Sequence, residues 1–346
     1  MEWTTTQTSG DSADNKVSSH YQRTRVIVEM IFCAVIIFTS FTGNALVVFV
    51  ACKDSTLRTT TNIFIQNLAL TDISMAIFNM PFWMASIYHD NWIFSQLVCE
   101  YQAVTLFTFG SASILTMALI SINRYFKIVH PQIYHNYFGS KVIVCIYCLL
   151  SWVVGVIFAT PPIYGWGNYQ YHRKFMTCSV LWDLKHISFV AIFLGGFVNA
   201  VTITIFVCYY KIYREVKQSS RNVAAYANNV TSETDIKILK STFTVVCGYI
   251  ICWMPVSVVC LTETLGGFLP QACYGVAIFL MYSSCCINPI IYGILNPQFR
   301  RAFIQVFKCK SFHHDNSSNQ DERQENASAT LPSLAIRRIA SANKIS

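Results

Sequence analysis

Apolar residues in this chain do not alternate as in strands, nor do they recur on one helical face. They fill seven long blocks: Val26–Ala51, Asn62–Tyr88, Leu97–Ile128, Ile143–Ile163, Ile187–Tyr213, Ile236–Leu265 and Gly275–Leu295. A bilayer core demands roughly 20 apolar residues in a helix, and each block meets that length. The pattern predicts an all-α membrane protein, a seven-transmembrane helix bundle over residues 26–296. Pro81, Pro255 and Pro289 lie inside blocks, which membrane helices tolerate because neighbouring groups re-satisfy the freed backbone.

After the seventh block, "NPQFRRAFIQVFKCKSF" alternates apolar and basic positions at helical spacing. Phe299, Phe303 and Phe307 share a face and Arg300 and Arg301 point to headgroups, which predicts an amphipathic surface helix over 297–310. Cys309 is then placed for a palmitate anchor or stands as a free thiol. Residues 311–346 are polar, rich in Ser, Asn and Gln, and read as a disordered tail. Residues 1–25 form a polar N-terminal tail without the apolar core of a cleavable signal peptide.

Composition agrees: 53% of the 346 residues are hydrophobic and only 12% charged, against about 25% charged in soluble domains. A net charge of +8 would fit nucleic acid, except that the basic residues sit beside the apolar blocks, where they act as topology signals. With the N-terminus outside, the outer segments hold Lys16, Arg23, Arg25, Arg173, Lys174 and Lys185, leaving nineteen of 25 basic residues inside. Arg23 and Arg25 oppose the trend; the sum still puts the N-terminus outside. N-x-[ST] triplets at Asn229, Asn316 and Asn326 then fall in the cytosol and read as chance matches.

Polar residues inside the blocks are expensive in lipid and mark function. Asp72, in the middle of the second block, must face the bundle interior. With Ser113 and Asn288 it can share a small cation such as Na⁺; the alternative is a protonated carboxyl in a structural hydrogen-bond network.

Asn44 in "GNALVV", Asp72 in "NLALTD", "NRY" at 123–125, Trp152, "CWMP" at 252–255 and "NPIIY" at 288–292 occur in order, one set per block. Together they resemble the rhodopsin-like G-protein-coupled receptors over roughly residues 25–310. The resemblance implies that Arg124 lies at the cytoplasmic end of the third helix. There it contacts an acid on helix six, with Asp235 as candidate, or faces a heterotrimeric G protein; an arginine snorkelling to headgroups is the plainer alternative. Asn123 stands where the family carries an acid, so the restraint on Arg124 falls to Asp235 or to hydrogen bonds. Tyr125 completes the triplet, and residues 128–138 read as the loop meeting the G protein.

The resemblance also makes Trp253 and Pro255 the hinge of helix six, has Tyr209 and Tyr292 move towards Arg124 on activation, and gives Asn288, Pro289 and Tyr292 a part in the same switch. It pairs Cys99 with Cys178 in a disulfide holding the loop after helix four over the pocket; the outer compartment permits this. Arrestin and receptor kinases join the candidate partners, and "RRIAS" makes Ser341 a candidate phosphorylation site.

Departures narrow the ligand. Amine receptors carry an aspartate where Leu106 stands, and opsins carry the retinal-linking lysine where Tyr282 stands. Melatonin-type receptors look closest: they share NRY, the acid at the position of Asp235 and the ending "IIYGILNPQFRRAF". Their ligand anchors, an asparagine and a glutamine, are replaced by Pro162 and Trp182, so the ligand differs. The expected pocket is apolar and aromatic, formed by Thr105, Leu106, Trp182, Trp253 and Tyr282. The proline usual in helix five is Val201 here, which puts a bulge there in doubt, although Gly195 and Gly196 offer other flexibility.

The expectation is a plasma-membrane receptor that passes an extracellular, largely apolar ligand signal to a G protein of the Gi/o class. It is not an enzyme and needs no cofactor beyond a candidate allosteric Na⁺. A non-signalling decoy and, further off, a secondary transporter are the alternatives; no internal repeat supports a transporter.

Overall fold

The computed structural model describes residues 10–222 and 233–308, with side chains from 23 to 218 and from 237 to 308. Seven helices in it are long and apolar enough to cross a bilayer: Arg23–Lys53, Thr60–His89, Gln96–Val129, Lys141–Tyr164, Leu184–Gln218, Lys237–Thr264 and Gln271–Leu295. They are called spans one to seven below. The described residues up to Ile304 belong to one compact unit.

Span three is the central strut. Its apolar stretch is 78% buried, against 17% in spans one and five, because it packs on spans two, four and five together. Spans one, two, six and seven close the rest of the ring through the pairs one–two, one–seven and six–seven. Small residues set the close approaches, as expected where lipid gives helices no hydrophobic reason to associate. A Cβ on Gly155 would lie 2.6 Å from the Thr108 carbonyl oxygen on span three, and one on Gly43 would lie 2.7 Å from Pro289 of span seven. The outward faces carry Phe38, Leu149, Ile203, Ile251 and Ile294, all exposed, as a lipid-facing surface requires.

The helices depart from the predicted blocks where the backbone chemistry demands it. Span one belongs to a longer helix, Gly10–Lys53, so part of the predicted polar tail is helical. Span two breaks at Asn79, whose φ of −124° ends one helix at Phe78 before another starts at Met80. Pro81 then sits in the first turn of the new helix, where no amide N–H is required. Span five contains a π-helical stretch, Ala191–Val198. A wide turn is therefore present without the proline; Gly195 and Gly196 lie within it, and the Asn199 Nδ2 donates to the Leu194 carbonyl oxygen at 2.8 Å.

The segment expected as a loop behind Arg124 is also ordered differently. Span three continues to Val129, and Pro131–Phe138 is a short helix whose Phe138 is buried against Phe64 and Tyr147. The loop after span four is an antiparallel hairpin, β1 Tyr169–His172 and β2 Thr177–Val180. Its register pairs Tyr169 with Val180 and His172 with Thr177. After span seven, Pro297–Phe307 is helical, capped by the Asn296 Oδ1, which accepts from the Gln298 amide at 3.1 Å. Phe299 and Phe303 are buried, whereas Phe307 is exposed.

Candidate functional site

The bundle encloses a cavity of about 430 Å³ between spans three, five and six, beneath the hairpin. Its walls are aromatic and aliphatic: Leu106 and Phe107 from span three, Phe193 and Phe197 from span five, Trp253 and Met281 from spans six and seven. Trp253 lies towards the inner end, with Tyr249 and Ile114 lining the wall beyond it. Its ring stacks on Tyr249 with centroids 5.2 Å apart, its Nε1 donates to Ser284 Oγ of span seven at 3.1 Å, and a Cβ on Gly110 would come within 2.8 Å of its Cη2. The indole thus touches spans three and seven while belonging to span six. Displacement of this ring is therefore felt by three helices.

The hairpin closes the other end. Cys178 is joined to Cys99 at the start of span three, and the Cys178 amide donates to Gln102 Oε1 at 3.0 Å. All four residues of β2 are buried. Lys174 reaches Glu263 at 2.6 Å and lies over the Tyr274 ring, and Tyr274 donates to the same carboxylate. Arg173 pairs with Asp90 at 2.8 Å. His172 Nε2 lies 3.0 Å from the Val180 carbonyl oxygen. Burial holds this imidazole below the ordinary histidine value, with that hydrogen bond and Glu263 opposing.

Two residues expected in the pocket lie elsewhere. Thr105 and Tyr282 are buried in a polar cluster around the break in span two and do not line the cavity. The Tyr282 hydroxyl donates to Asn79 Oδ1 at 2.7 Å, and Asn79 Nδ2 donates to the Gln102 carbonyl oxygen at 2.7 Å and to Thr105 Oγ1 at 3.0 Å. The cause is the uncapped turn at Asn79, whose amide finds partners on spans three and seven. Leu106, Trp182 and Trp253 do line the cavity.

Deeper in the bundle, Asn288 Nδ2 donates to Asp72 Oδ2 at 2.8 Å, and Asn44 Nδ2 donates to the Cys285 carbonyl oxygen at 2.8 Å. Trp152 Nε1 donates to Asn67 Oδ1 at 2.9 Å, and Asn67 Nδ2 donates to Thr116 Oγ1 at 2.7 Å. The structure brings Asp72 and Asn288 into contact, while Ser113 is buried on span three. A buried carboxylate facing an amide donor fits either a cation or a hydrogen-bond network.

At the far end, Arg124 is buried. Asn123 Oδ1 accepts from Thr61 Oγ1 at 2.8 Å, and its Nδ2 donates to the Tyr134 hydroxyl at 3.3 Å. The residue that replaces the family's acid is thus engaged with span two and the short helix, a role that sequence reasoning missed. Tyr125 is hydrogen-bonded to His130 at 2.9 Å and lies under Lys211. Tyr209 is buried at this end and packs on Phe243, and its phenol lies within electrostatic reach of Arg124. The Tyr292 ring stacks on Phe299. Pro255 lies inside span six, and Pro289 inside span seven against Gly43. Asp235's side chain, Cys309 and Ser341 lie outside the described residues.

Human visual pigment-like receptor peropsin is 29% identical over 87% of this chain and 91% of its own length. Melatonin receptor type 1B of Rattus norvegicus is 27% identical over 82% and 79%. The crystal structure of squid rhodopsin superposes with a TM-score of 0.74 at 26% identity, covering 87% of this chain and 91% of that one. The model of the 7 transmembrane receptor (rhodopsin family) matches residues 43–292. Given the seven spans, the Cys99–Cys178 disulfide and the polar core on one side, and this match on the other, the chain belongs to the rhodopsin family of G-protein-coupled seven-transmembrane receptors.

Proposed function

We propose that this receptor sits in the plasma membrane with the hairpin end outside, binds a small, largely apolar ligand in the cavity above Trp253, and signals to a Gi/o-class G protein at the Arg124 end. The observation that carries the reading is the placement of Trp253: one ring meets the cavity, Gly110 of span three and Ser284 of span seven. A ligand that packs better against one position of the indole shifts a pre-existing equilibrium between two bundle shapes. The kink at Pro255 gives the inner half of span six freedom to swing. Asp72 and Asn288 would hold an allosteric Na⁺ that favours one shape, and Tyr209 and Tyr292 would close on Arg124 in the other. Arrestin and receptor kinases are proposed partners of the tail.

A decoy that binds without signalling is the second reading, favoured by Asn123, whose two hydrogen bonds engage the position normally held by an acid. Expression in cells with a cAMP readout, wild type against Arg124→Ala, separates the two. The receptor reading expects a pertussis-toxin-sensitive fall in cAMP that the variant loses at equal surface expression. A wild type that never alters any G-protein output while retaining ligand binding favours the decoy.

A further inference from the structure

A second cavity, of about 390 Å³, lies at the hairpin end of the bundle and shares no wall residue with the chamber above Trp253. Three helix ends meet there: Glu100 near the start of span three, Pro162 and Ile163 in the last turn of span four, and Lys185 and His186 in the first turn of span five. Gly165 and Gly167 turn the chain between spans four and five with φ of 93° and 107°, and both stand in the wall. A Cβ on Gly167 would lie 3.1 Å from Pro162 and 3.3 Å from Val180, so the tight turn there calls for glycine.

The wall sets opposite charges around one space. Lys185 and Glu100 both line it, and no ion pair joins them among the described residues. Glu100 Oε1 accepts from the Gln96 amide at 3.1 Å, a neutral donor that leaves the carboxylate's charge in place. His186 Nδ1 lies 2.7 Å from Asp183 Oδ1, a contact that fixes the ring and leaves Nε2 for a ligand. A simple anion would be drawn to Lys185 and opposed by Glu100, and a simple cation the reverse; a molecule carrying both charges satisfies both. The surroundings say what carries them. Ile163 is 48% exposed, Leu184 61% and Ile187 43%, and Tyr164 and Trp166 are exposed beside them. Tyrosine and tryptophan at helix ends belong to the membrane–water interface, so the cavity lies at the depth of lipid headgroups.

We infer that this cavity holds the zwitterionic headgroup of a phospholipid from the leaflet at the hairpin end, its phosphate on Lys185 and His186 and its ammonium on Glu100. The site is separate from the ligand chamber and does not depend on which G protein is engaged. Its link to the hairpin is Tyr169, the first residue of β1. Tyr169 lines this cavity, accepts from Gln96 Nε2 at its carbonyl oxygen at 2.9 Å, and packs its ring on Phe107 of the chamber wall with centroids 5.8 Å apart. A bound headgroup therefore braces the hairpin from outside the chamber.

Full-length receptor, purified in detergent and stripped of lipid, is titrated with dioleoylphosphatidylcholine, and the first lipid bound is followed by native mass spectrometry. The comparison lipids are dioleoylphosphatidylglycerol, which carries the phosphate charge alone, and dioleoyl trimethylammonium propane, which carries the ammonium alone. One charge-assisted contact is worth about tenfold in affinity, so phosphatidylcholine should bind about tenfold more tightly than either. Glu100→Gln should erase the preference over phosphatidylglycerol and keep that over the cationic lipid; Lys185→Gln should do the reverse. Misfolding would weaken all three lipids alike and cannot imitate these opposite changes. Equal or tighter binding of either singly charged lipid to the wild type overturns the inference, as does an unchanged order of the three lipids in both variants. Soluble phosphocholine at equal concentration should leave the lipid bound; full displacement would assign the site to a soluble zwitterion and overturn the lipid assignment. The wild-type order decides even where a variant fails to fold.

Discussion

The amide oxygen of Asn123 accepts the Thr61 hydroxyl at 2.8 Å, fastening span three to span two one residue ahead of Arg124. An acid there would be drawn to the guanidinium; an amide is neutral and can serve span two and Tyr134 at once. Replacing Asn123 by Ala strands the buried Thr61 hydroxyl, a loss of about 1–3 kcal/mol, to be read as lower thermal stability of the solubilised receptor. Asn123→Asp keeps the acceptor, adds a charge partner for Arg124 and should lower basal signalling in the cAMP assay. A rise in basal signal with Asp would contradict the assignment.

Glycine tests the helix packing. Gly155→Ala pushes a methyl group into the Thr108 carbonyl, and overpacking costs typically about 1–3 kcal/mol; surface expression and melting temperature should fall. Gly275→Ala meets nothing within 4 Å and lies in a helix, where alanine is favoured by up to about 1 kcal/mol. It should be neutral or stabilising. Equal losses from both would mean that spans three and four do not approach as described.

Tyr282→Phe removes the donor to Asn79 Oδ1. Stability should drop by about 1–3 kcal/mol, read as a lower melting temperature of the solubilised receptor. An unchanged melting temperature would remove this bond from the account of the break in span two.

The hairpin should weaken in mild acid. His172 has a folded pKa below its ordinary 6.5, so the unfolded chain takes up a proton first as pH falls. Stability therefore declines below about pH 6.5 and recovers above it. Melting curves at pH 5.5 and 7.5 should differ more for wild type than for His172→Asn; identical pH responses would remove His172 from the account.

If Asp72 and Asn288 hold Na⁺, exchanging sodium chloride for choline chloride lowers the melting temperature of wild type and leaves Asp72→Asn unmoved. A choline effect of the same size in the variant assigns the carboxylate to a structural network.

Seven spans and their order were legible because lipid enforces an unbroken apolar run in each. The motif residues were legible too, since Asp72, Arg124 and Trp253 are costly or bulky choices that stand out against such runs. The break at Asn79 and the wide turn at Ala191–Val198 were not. Neither carries a breaker at the point of departure: Pro81 lies two residues late, and the glycines of span five are ordinary in membranes. The placement of Thr105 and Tyr282 was hidden for a related reason, because which side of a helix faces a cavity depends on where the neighbouring helix unwinds. The hairpin escaped notice because its strands are four residues each.

The wide turn in span five keeps every amide N–H that a proline would have deleted, and the Asn199 side chain braces the carbonyls of Leu194 and Gly195. What a rigid ring would have made permanent is here a matter of exchangeable pairing. That turn carries Phe193 and Phe197, so the shape of the chamber's wall there is set by a stretch held through a carboxamide and not by a ring.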